Sequence, residues 1–247
     1  MRIENSIFNI QKLDSTESTN RYCEALDLAA VGDFTCYWAL AQTAGIGQRG
    51  NHWHSAPGQN LTFSLVLHPD FLPADRQFRL TQALALALCD TLEIQNSEFK
   101  IHIKWPNDIY AEGRKICGTL VSTRLQGTTI ASAVCGIGLN VNEVDFPAWL
   151  PNPTSLRQLT GRCHELEPLL RQLLGAIERR YHDLREGIDP QRDYLDRLMN
   201  LGTEALYRYG SEPLRATITG VDPHGRLLLT ATDGRHLCCA MKEIALL

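Results

Sequence analysis

The sequence has few of the features that place a protein in a membrane, outside the cell or on nucleic acid. Its first residues, MRIENSIFNIQKL, contain neither the long apolar core nor the small-residue cleavage site of a signal peptide. The most apolar stretch, Ala83–Leu88, is far too short to span a bilayer. Because a duplex-binding protein needs a basic face, the formal net charge of -4 argues against a nucleic-acid partner. We therefore expect a cytoplasmic protein with no nucleic-acid and no membrane partner.

The chain also lacks the cysteine pairs that zinc sites and disulfide frameworks need. It has eight cysteines, but no two of them are spaced as CxxC, and most lie inside apolar runs. Free, buried thiols in a reducing compartment explain this pattern better than disulfides or zinc.

Strand and helix patterns follow one another irregularly along most of the chain. A helix is predicted from about Thr16–Ser18 to Ala30, and others over Phe78–Leu92 and Pro168–Arg185. Strands are predicted at Phe8–Leu13, Phe34–Ala41, Leu61–Leu67, Ile101–Trp105 and Thr129–Val141, with a hairpin over Ile109–Arg124. Because the strands and helices do not alternate regularly, the pattern favours an α+β fold with a mixed sheet over a doubly wound one.

The last part of the chain has a different pattern. After a break at Gly187–Pro190 and a short helix at Arg192–Met199, three β-rich runs are separated by turn residues: Pro213–Val221, Arg226–Ala231 and His236–Ile244. Short antiparallel runs of this kind are typical of a small barrel. We predict a catalytic domain over residues 1–188 and a small barrel domain with a short leading helix over residues 189–247.

A long loop, Thr43–Asn60, contains the glycine-rich segment Gly45-Ile46-Gly47-Gln48-Arg49-Gly50. This segment satisfies G-x-G-x-x-G, but a dinucleotide site needs these glycines to open a helix, and Pro57 and Gly58 argue against one. We favour a mobile loop whose backbone amides and Arg49 close over an anion. Trp53 then either stacks on a purine or anchors the loop, and its position does not decide between the two.

Two neighbouring segments bring charged and amide side chains together. Pro106 ends a strand, so Asn107 and Asp108 project from the strand end, either as part of a site or as a self-bonded turn. If the hairpin turns at Glu112-Gly113, Tyr110 faces Lys115 and Asp108 faces Cys117. Asp108, Tyr110, Lys115 and Cys117 are then expected on one face of the hairpin.

Two further segments carry small or polar residues where a strand or a helix alone does not need them. Gly136 and Gly138 weaken a strand unless something approaches its backbone, so Asn140 either offers an amide to a phosphate or metal-bound water, or belongs to close strand packing. The run Asp14–Asn20 holds more hydroxyl and amide groups than capping of one helix requires.

These motifs, in this order, resemble those of biotin–protein ligases. The matching segments are Ser18-Thr19-Asn20, Gln42 ahead of the glycine loop, Gly45 to Gly50 with Trp53, Lys104 to Asp108, Arg114 to Gly118, and Gly136 to Asn140. Lys104-Trp105-Pro106-Asn107-Asp108 is the most specific of them. The β-rich tail is similar to the family's small C-terminal SH3-like β-barrel.

The resemblance implies an enzyme that adenylates biotin with ATP and transfers the biotin to a lysine of a biotin carboxyl carrier protein. Mg²⁺ is expected with ATP, but no protein ligand for a metal is fixed. A homodimer is compatible with the family. The catalytic motifs begin near residue 15, so we expect the short form, without the N-terminal helix-turn-helix domain and repressor activity of the long form.

Individual roles follow from the resemblance. The biotin ring is assigned to Ser18, Thr19, Asn20 and Gln42 with the backbone of Gly118, and the loop residues Gly45, Gly47, Arg49 and Gly50 are expected to close over biotin and the adenylate. The nucleotide is assigned to Trp53, Asn107, Asp108, Asn140 and Glu243. Lys115 is expected to neutralise the biotin carboxylate and the α-phosphate, and Lys115, Asp108 and Arg49 are the expected catalytic residues.

The chain departs from the family pattern at three positions. Ile46 and Gln48 stand where members often carry arginines, which leaves Arg49 as the only cation of the glycine segment. Leu247 stands where some relatives have an arginine.

Two other functions compete with biotin ligation. A lipoate or octanoate ligase or transferase of the same fold needs an apolar tunnel, whereas the polar Ser18–Asn20 cluster and Gln42 suit a ureido group better. A non-catalytic biotin- or nucleotide-binding regulator is the second, and Lys115 and Asp108 on one face favour chemistry over it.

Overall fold

A computed structural model describes residues 7–247, with Arg49 described in its backbone only. It contains twelve strands, β1 to β12 in chain order: Asn9–Leu13, Thr35–Ala39, Leu61–Leu67, Ile101–Lys104, Asp108–Ala111, Arg114–Gln126, Thr129–Leu139, Glu204–Tyr209, Glu212–Val221, Leu227–Ala231, His236–Cys239 and Ile244–Leu246. The α-helices are α1 (Thr19–Glu24), α2 (Phe78–Gln95), α3 (Leu156–Thr160), α4 (Leu166–Arg185) and α5 (Gln191–Asp196).

The first seven strands form one sheet in the order β1-β2-β3-β7-β6-β5-β4. Strands β1 and β2 are parallel and the other neighbours are antiparallel, so the predicted α+β fold with a mixed sheet is confirmed. Helix α1 contacts β2, β3 and β7, while α2 packs on α4 and on β4, β5 and β6.

The two faces of β3 show how the sheet creates room for a site. Leu61, Phe63, Leu65 and Leu67 belong to the main hydrophobic core, and alternation turns the residues between them to the face that carries α1. That second face has Thr62 and Ser64, which pair across the strands with Gly138 and Gly136 of β7. Small residues on this face leave a hollow between the sheet and α1.

The remaining strands form a second, antiparallel sheet in the order β11-β10-β9-β8-β12. It adds a strand, β8, that the sequence pattern did not predict, and the single run predicted over His236–Ile244 is instead two strands, β11 and β12, at opposite edges of the sheet. The indole Nε1 of Trp105 donates to Gly225 O at 3.0 Å, which links the turn after β4 to the turn between β9 and β10. The closure of this second sheet into an SH3-like barrel and the boundary between residues 188 and 189 remain predictions.

Helix α1 is much shorter than expected, because it ends at Glu24 rather than near Ala30. Its chain turns instead at Asp27, whose Oδ1 accepts from Ala29 N at 3.2 Å and whose carbonyl accepts from Ala30 N at 3.0 Å. A side chain that bonds its own backbone in this way competes with helix continuation.

All eight cysteines are free, in agreement with the expectation from their spacing. Six are buried, whereas Cys163 and Cys238 are exposed. Among residues 7–247, no helix combines the length and the apolar character needed to cross a bilayer.

Candidate active site

A first cavity lies in the hollow between α1 and the sheet. Eight of the residues to which the sequence analysis assigned a binding role line it: Ser18, Thr19, Asn20, Gln42, Gly47, Trp53, Lys115 and Gly118. Residues more than a hundred positions apart in the chain therefore meet here because β6 and β7 pass beneath α1.

The polar cluster at the start of α1 is held by partners from other segments. Gln42 Oε1 accepts from Thr19 N at 2.7 Å, so this side chain caps an amide of the first turn that has no partner within the helix. Ser18, at the N-cap position, makes no side-chain capping bond. With its oxygen occupied, Gln42 keeps its Nε2 amide hydrogens for a ligand in the cavity.

Ser64 of β3 completes this cluster and was not predicted. Its Oγ is fully buried, 2.8 Å from Thr19 Oγ1 and 2.6 Å from Asn20 Oδ1. Because an amide oxygen only accepts, Ser64 donates to Asn20. The one hydroxyl hydrogen of Thr19 is then shared between two acceptors, Ser64 Oγ and Gln42 Oε1, which lies 3.2 Å away. A serine within the strand LTFSLVL, which is apolar except for Thr62 and Ser64, was the available signal.

We expect Ser64→Ala to lower the free energy of unfolding by about 1–3 kcal/mol, because it leaves Asn20 Oδ1 buried without a donor. Urea denaturation measures the change. Ser132→Ala is the matched control, since Ser132 is also buried in the sheet but has no side-chain hydrogen bond within the described residues. Equal stability of the two variants would show that the hydroxyl network contributes nothing.

The glycine loop is folded back on itself over the first cavity. Gly47 N donates to Asn51 O at 2.7 Å and Trp53 N donates to Gly45 O at 2.9 Å. These two amides are therefore occupied, so Gly47 offers no bare amide to an anion in this conformation, and closure of the rest of the loop over an anion remains a prediction. Gln48–Gly50 form a single 3-10 turn and not the start of an α-helix. A dinucleotide-binding motif needs a helix at this point, so the structure agrees with the argument against that motif.

Trp53 anchors this loop on two glycines of neighbouring strands. A Cβ atom on Gly138 would lie 2.2 Å from Trp53 Cε2, and one on Gly118 would lie 3.1 Å from Trp53 Cζ3. Gly118 and Gly138 are paired across β6 and β7. Only glycine at position 138 leaves room for the indole, so the structure supports the anchoring role of Trp53.

The hairpin of β5 and β6 brings Lys115 and Asp108 together. Lys115 Nζ lies 2.7 Å from Asp108 Oδ2, and both side chains are about one third exposed. Tyr110 faces Lys115 as predicted. The predicted pairing of Asp108 with Cys117 is wrong, because Ile116 is an extra residue on β6 and Cys117 pairs with Ile109 instead.

This bulge changes which residue shares the face of the ion pair. Cys117 turns into the core and is fully buried, and burial raises the pKa of its thiol. Gly118 takes its place, with its ideal Cβ position 3.4 Å from Asp108 Oδ1. The bulge thus removes a thiol from the site and leaves space for a ligand.

A second cavity, of about 390 Å³, lies beyond Trp53 and Lys115, which line both cavities. Its lining includes Gly50 and Asn140 from the predicted set, and the residues His54, Phe146 and Trp149, which were not predicted. The last two lie on the segment after β7, where an aromatic residue in a loop gives no specific signal in sequence. This cavity has one cationic side, at Lys115, and one aromatic side.

The side chain of Asn140 leaves an acceptor free, whereas a direct phosphate contact needs a donor. Its Nδ2 donates to Thr154 O at 2.9 Å, while its Oδ1 is buried without a partner among the described residues. Since phosphate oxygens are also acceptors, this free oxygen suits a donor group, a water or a cation.

Four residues of the predicted set, Gly45, Asn107, Asp108 and Glu243, line neither cavity. Asn107 is buried, and its Nδ2 donates to the carbonyl and to the hydroxyl of Thr119, so it fastens the turn between β4 and β5. Glu243 accepts from Ala240 N at 2.8 Å and lines neither cavity. The side chain of Arg49 lies outside the described residues.

Comparison with known proteins gives one consistent family. Residues 13–140 match the family model described as the biotin/lipoate A/B protein ligase family. A Biotin--[acetyl-CoA-carboxylase] ligase of Paracoccus denitrificans is 34% identical in an alignment of 234 residues that covers 91% of this chain and 95% of that protein. The Bifunctional ligase/repressor BirA of Bacillus subtilis is 31% identical over 90% of this chain and 69% of its own.

Solved structures lead to the same family. The biotin protein ligase from Aquifex aeolicus in complex with biotin and ATP superposes with a TM-score of 0.79 at 25% identity, covering 97% of this chain and 98% of that one. Since the family model spans more than half of the residues and the Paracoccus relative is matched almost end to end, this chain belongs to the biotin/lipoate A/B protein ligase family.

Proposed function

We propose that this protein is a biotin–protein ligase that forms biotinyl-5'-AMP from biotin and ATP and then transfers the biotin to a lysine of a carboxyl carrier protein. The observation that carries the proposal is that Lys115 and Trp53 line both cavities. One cation between two binding spaces suits a reaction that joins two anionic substrates.

The first cavity takes biotin in this proposal. Gln42 Nε2 and the Ser18 hydroxyl supply donors for the ureido carbonyl, and Trp53, which rests on Gly118 and Gly138, forms one wall of the space for the fused ring. The second cavity takes the nucleotide, with the phosphates towards Lys115 and the base towards the aromatic side. The complex of the Aquifex aeolicus relative with biotin and ATP supports this division.

The first chemical step joins the two substrates. A carboxylate oxygen of biotin attacks the α-phosphorus of ATP, the bond from that phosphorus to the β-phosphate bridging oxygen breaks, and pyrophosphate leaves. Lys115 stabilises the charge that builds up between the two anions, and the folded loop excludes water from the reactive anhydride. The protein contributes position and charge rather than a covalent intermediate.

In the second step the lysine amine of the carrier attacks the acyl carbon, the acyl–oxygen bond breaks, AMP leaves and the amine loses a proton. Asp108, 2.7 Å from Lys115, keeps that ammonium in place and can position the incoming amine. Arg49 is the loop cation that we expect at the adenylate.

ATP enters as its magnesium complex in this proposal. Mg²⁺ is usually held by one or two carboxylates together with substrate phosphates and water. The carboxylate of Asp108 and the partnerless Oδ1 of Asn140 fit such a donor set. The bound metal would neutralise phosphate charge, and Asp108 and Asn140 would orient the nucleotide relative to Lys115.

The chemistry of the site favours this function over its rivals. A transferase that carries an acyl group on a thiol needs an accessible thiolate in its site, whereas Cys117, two residues after Lys115, is fully buried with a raised pKa. The exposed Cys163 and Cys238 line neither cavity. A flexible acyl chain also gains nothing from the buried Thr19–Asn20–Ser64 cluster. We place the enzyme in the cytoplasm, where eight free cysteines stay reduced.

Pyrophosphate exchange tests the proposal. With Mg-ATP, the purified protein should move labelled pyrophosphate into ATP only when biotin is present, because the reversal of adenylation requires the acyl-adenylate. Exchange that lipoate or octanoate supports equally well would refute the biotin assignment. Exchange with no acid present, or none with any acid, would refute the ligase assignment.

A further inference from the structure

A buried carboxylate, Glu143, contacts His54, which lines the second cavity, and Glu143 has no part in the roles assigned above. It is 4% exposed and lies four residues beyond the end of β7. Its Oε1 lies 2.7 Å from His54 Nε2, and its Oε2 accepts from Ala56 N at 3.1 Å and from Asn60 Nδ2 at 2.5 Å. A carboxylate this deeply buried persists only when several donors surround it.

Glu143 fixes the hydrogen position on His54. A carboxylate accepts and does not donate, so the ring nitrogen that faces it, Nε2, carries a hydrogen. In the neutral ring the other nitrogen, Nδ1, then holds a lone pair. Nδ1 has no partner among the described residues and is not among their buried partnerless atoms.

The position of His54 indicates what this lone pair can bind. The side chain lines the second cavity, is 30% exposed, and stands edge-to-face with Trp149 at 6.2 Å between ring centroids. It therefore lies on the aromatic side of the cavity, where the proposed function places the base. The phosphates are placed at the other side, near Lys115. The site offers a hydrogen-bond acceptor of fixed orientation to the edge of that base.

We propose that His54, oriented by Glu143, makes the site selective for a 6-aminopurine nucleotide. Nδ1 accepts a hydrogen bond from the exocyclic amine of adenine. A 6-oxopurine such as guanine or hypoxanthine presents an oxygen there, so two acceptors face each other without a hydrogen between them. The inference rests on the proposed function, since it assumes that the second cavity takes the nucleotide.

Calorimetric titration of the purified full-length protein, with and without saturating biotin, tests this selectivity. The probes are ATP, purine riboside triphosphate, which lacks the 6-amino group, and inosine triphosphate, which has an oxygen in its place. One neutral hydrogen bond predicts that ATP binds about two- to tenfold more tightly than purine riboside triphosphate. Inosine triphosphate should bind more weakly than either.

Two substitutions of the histidine separate recognition from folding. In His54→Gln the amide extends to about the position of Nε2, so it keeps the contact to Glu143 but places no acceptor near Nδ1. This variant should keep the melting temperature of the unmodified protein and should bind ATP and purine riboside triphosphate equally. His54→Asn places its amide oxygen near Nδ1 and gives up Glu143, so it should melt lower but keep part of the preference for ATP.

Glu143 acts through His54, and its effect should appear in selectivity as well as in stability. In Glu143→Gln the amide accepts or donates, so the imidazole is no longer confined to one tautomer. The ratio of the two dissociation constants, ATP against purine riboside triphosphate, should fall towards one. A role confined to loop stability would lower both affinities and leave that ratio unchanged.

The outcomes distinguish this inference from the function on which it rests. Equal binding of ATP and purine riboside triphosphate by the unmodified protein, or a full ATP preference in His54→Gln, overturns the inference even when biotin-dependent pyrophosphate exchange is normal. A preference for ATP that His54→Gln abolishes, in a protein without such exchange, upholds the inference and refutes the ligase. A protein that binds none of the nucleotides overturns both.

Discussion

Lys115→Ala should slow the formation of biotinyl-adenylate by about a hundred- to a thousandfold, or roughly 3–4 kcal/mol of transition-state stabilisation. Two anions must approach each other, and their repulsion is greatest as charge develops on the bridging oxygen. One fixed ammonium, which lines both cavities, offsets that repulsion. Single-turnover rates with saturating biotin and Mg-ATP measure the loss.

The fold should tolerate this substitution. The backbone of Lys115 is held independently of its side chain, since its N–H donates to Asn152 O at 2.9 Å and its carbonyl accepts from Thr154 N at 2.8 Å. The ion pair with Asp108 is partly exposed and contributes at most about 1 kcal/mol. Lys115→Arg should restore little activity, because a planar guanidinium does not replace a compact ammonium.

Controls separate the catalytic charge from two other effects. Lys100→Ala removes an exposed lysine that lines neither cavity and should leave the rate unchanged. Lys115→Ala also leaves Asp108 unpaired beside the substrates, so the double variant with Asp108→Asn shows how much of the loss comes from that repulsion. A single variant within about threefold of the unmodified rate, under 1 kcal/mol, would mean that Lys115 is not the catalytic cation.

The sequence predicted local structure well where local chemistry determines it. The hairpin turns at Glu112-Gly113 because both residues take positive φ, at 51° and 73°, as a two-residue turn requires. The bulge at Ile116 was missed, and with it the placement of Cys117, because an extra residue in a strand has no side-chain signature. One residue of register decided whether a thiol or a glycine faces Asp108.

The parts of the site that were not predicted depend on contacts between distant segments. Ser64 joins the polar cluster only because α1 lies across β3. His54 is oriented only because Glu143, 89 positions later in the chain, contacts its ring. The motifs therefore identified the residues on the sheet and in the loop, while the second cavity required the path of the chain after β7. Asn107 shows the converse, since a motif residue expected at the phosphates bonds to Thr119 instead.

Gly138→Ala should reduce the rate of biotinyl-adenylate formation by about ten- to a hundredfold, because its new methyl group would occupy the place of the Trp53 indole. The ideal Cβ lies 2.2 Å from Cε2 and 2.5 Å from Nε1 of that ring. The rigid indole has little room to yield, since Trp53 N is bonded to Gly45 O and the Trp53 carbonyl packs on the α-carbon of Gly45. The indole of Trp53 must therefore move away from Gly118 and Gly138, and the glycine loop must move with it.

This prediction is sharpest as a double-mutant cycle. Once Trp53→Ala has removed the ring, adding Gly138→Ala should cost nothing more, because the clash is gone. Gly220→Ala is the matched control: it too is a strand glycine without positive φ, and its Cβ would meet nothing closer than 3.9 Å, so activity should not change. The Michaelis constants for biotin and ATP should both rise in Gly138→Ala, since Trp53 borders both cavities. Additive losses in the double variant would mean that Gly138 serves the site by some route other than the indole, and unchanged activity would mean that the ring does not rest on these strands during catalysis.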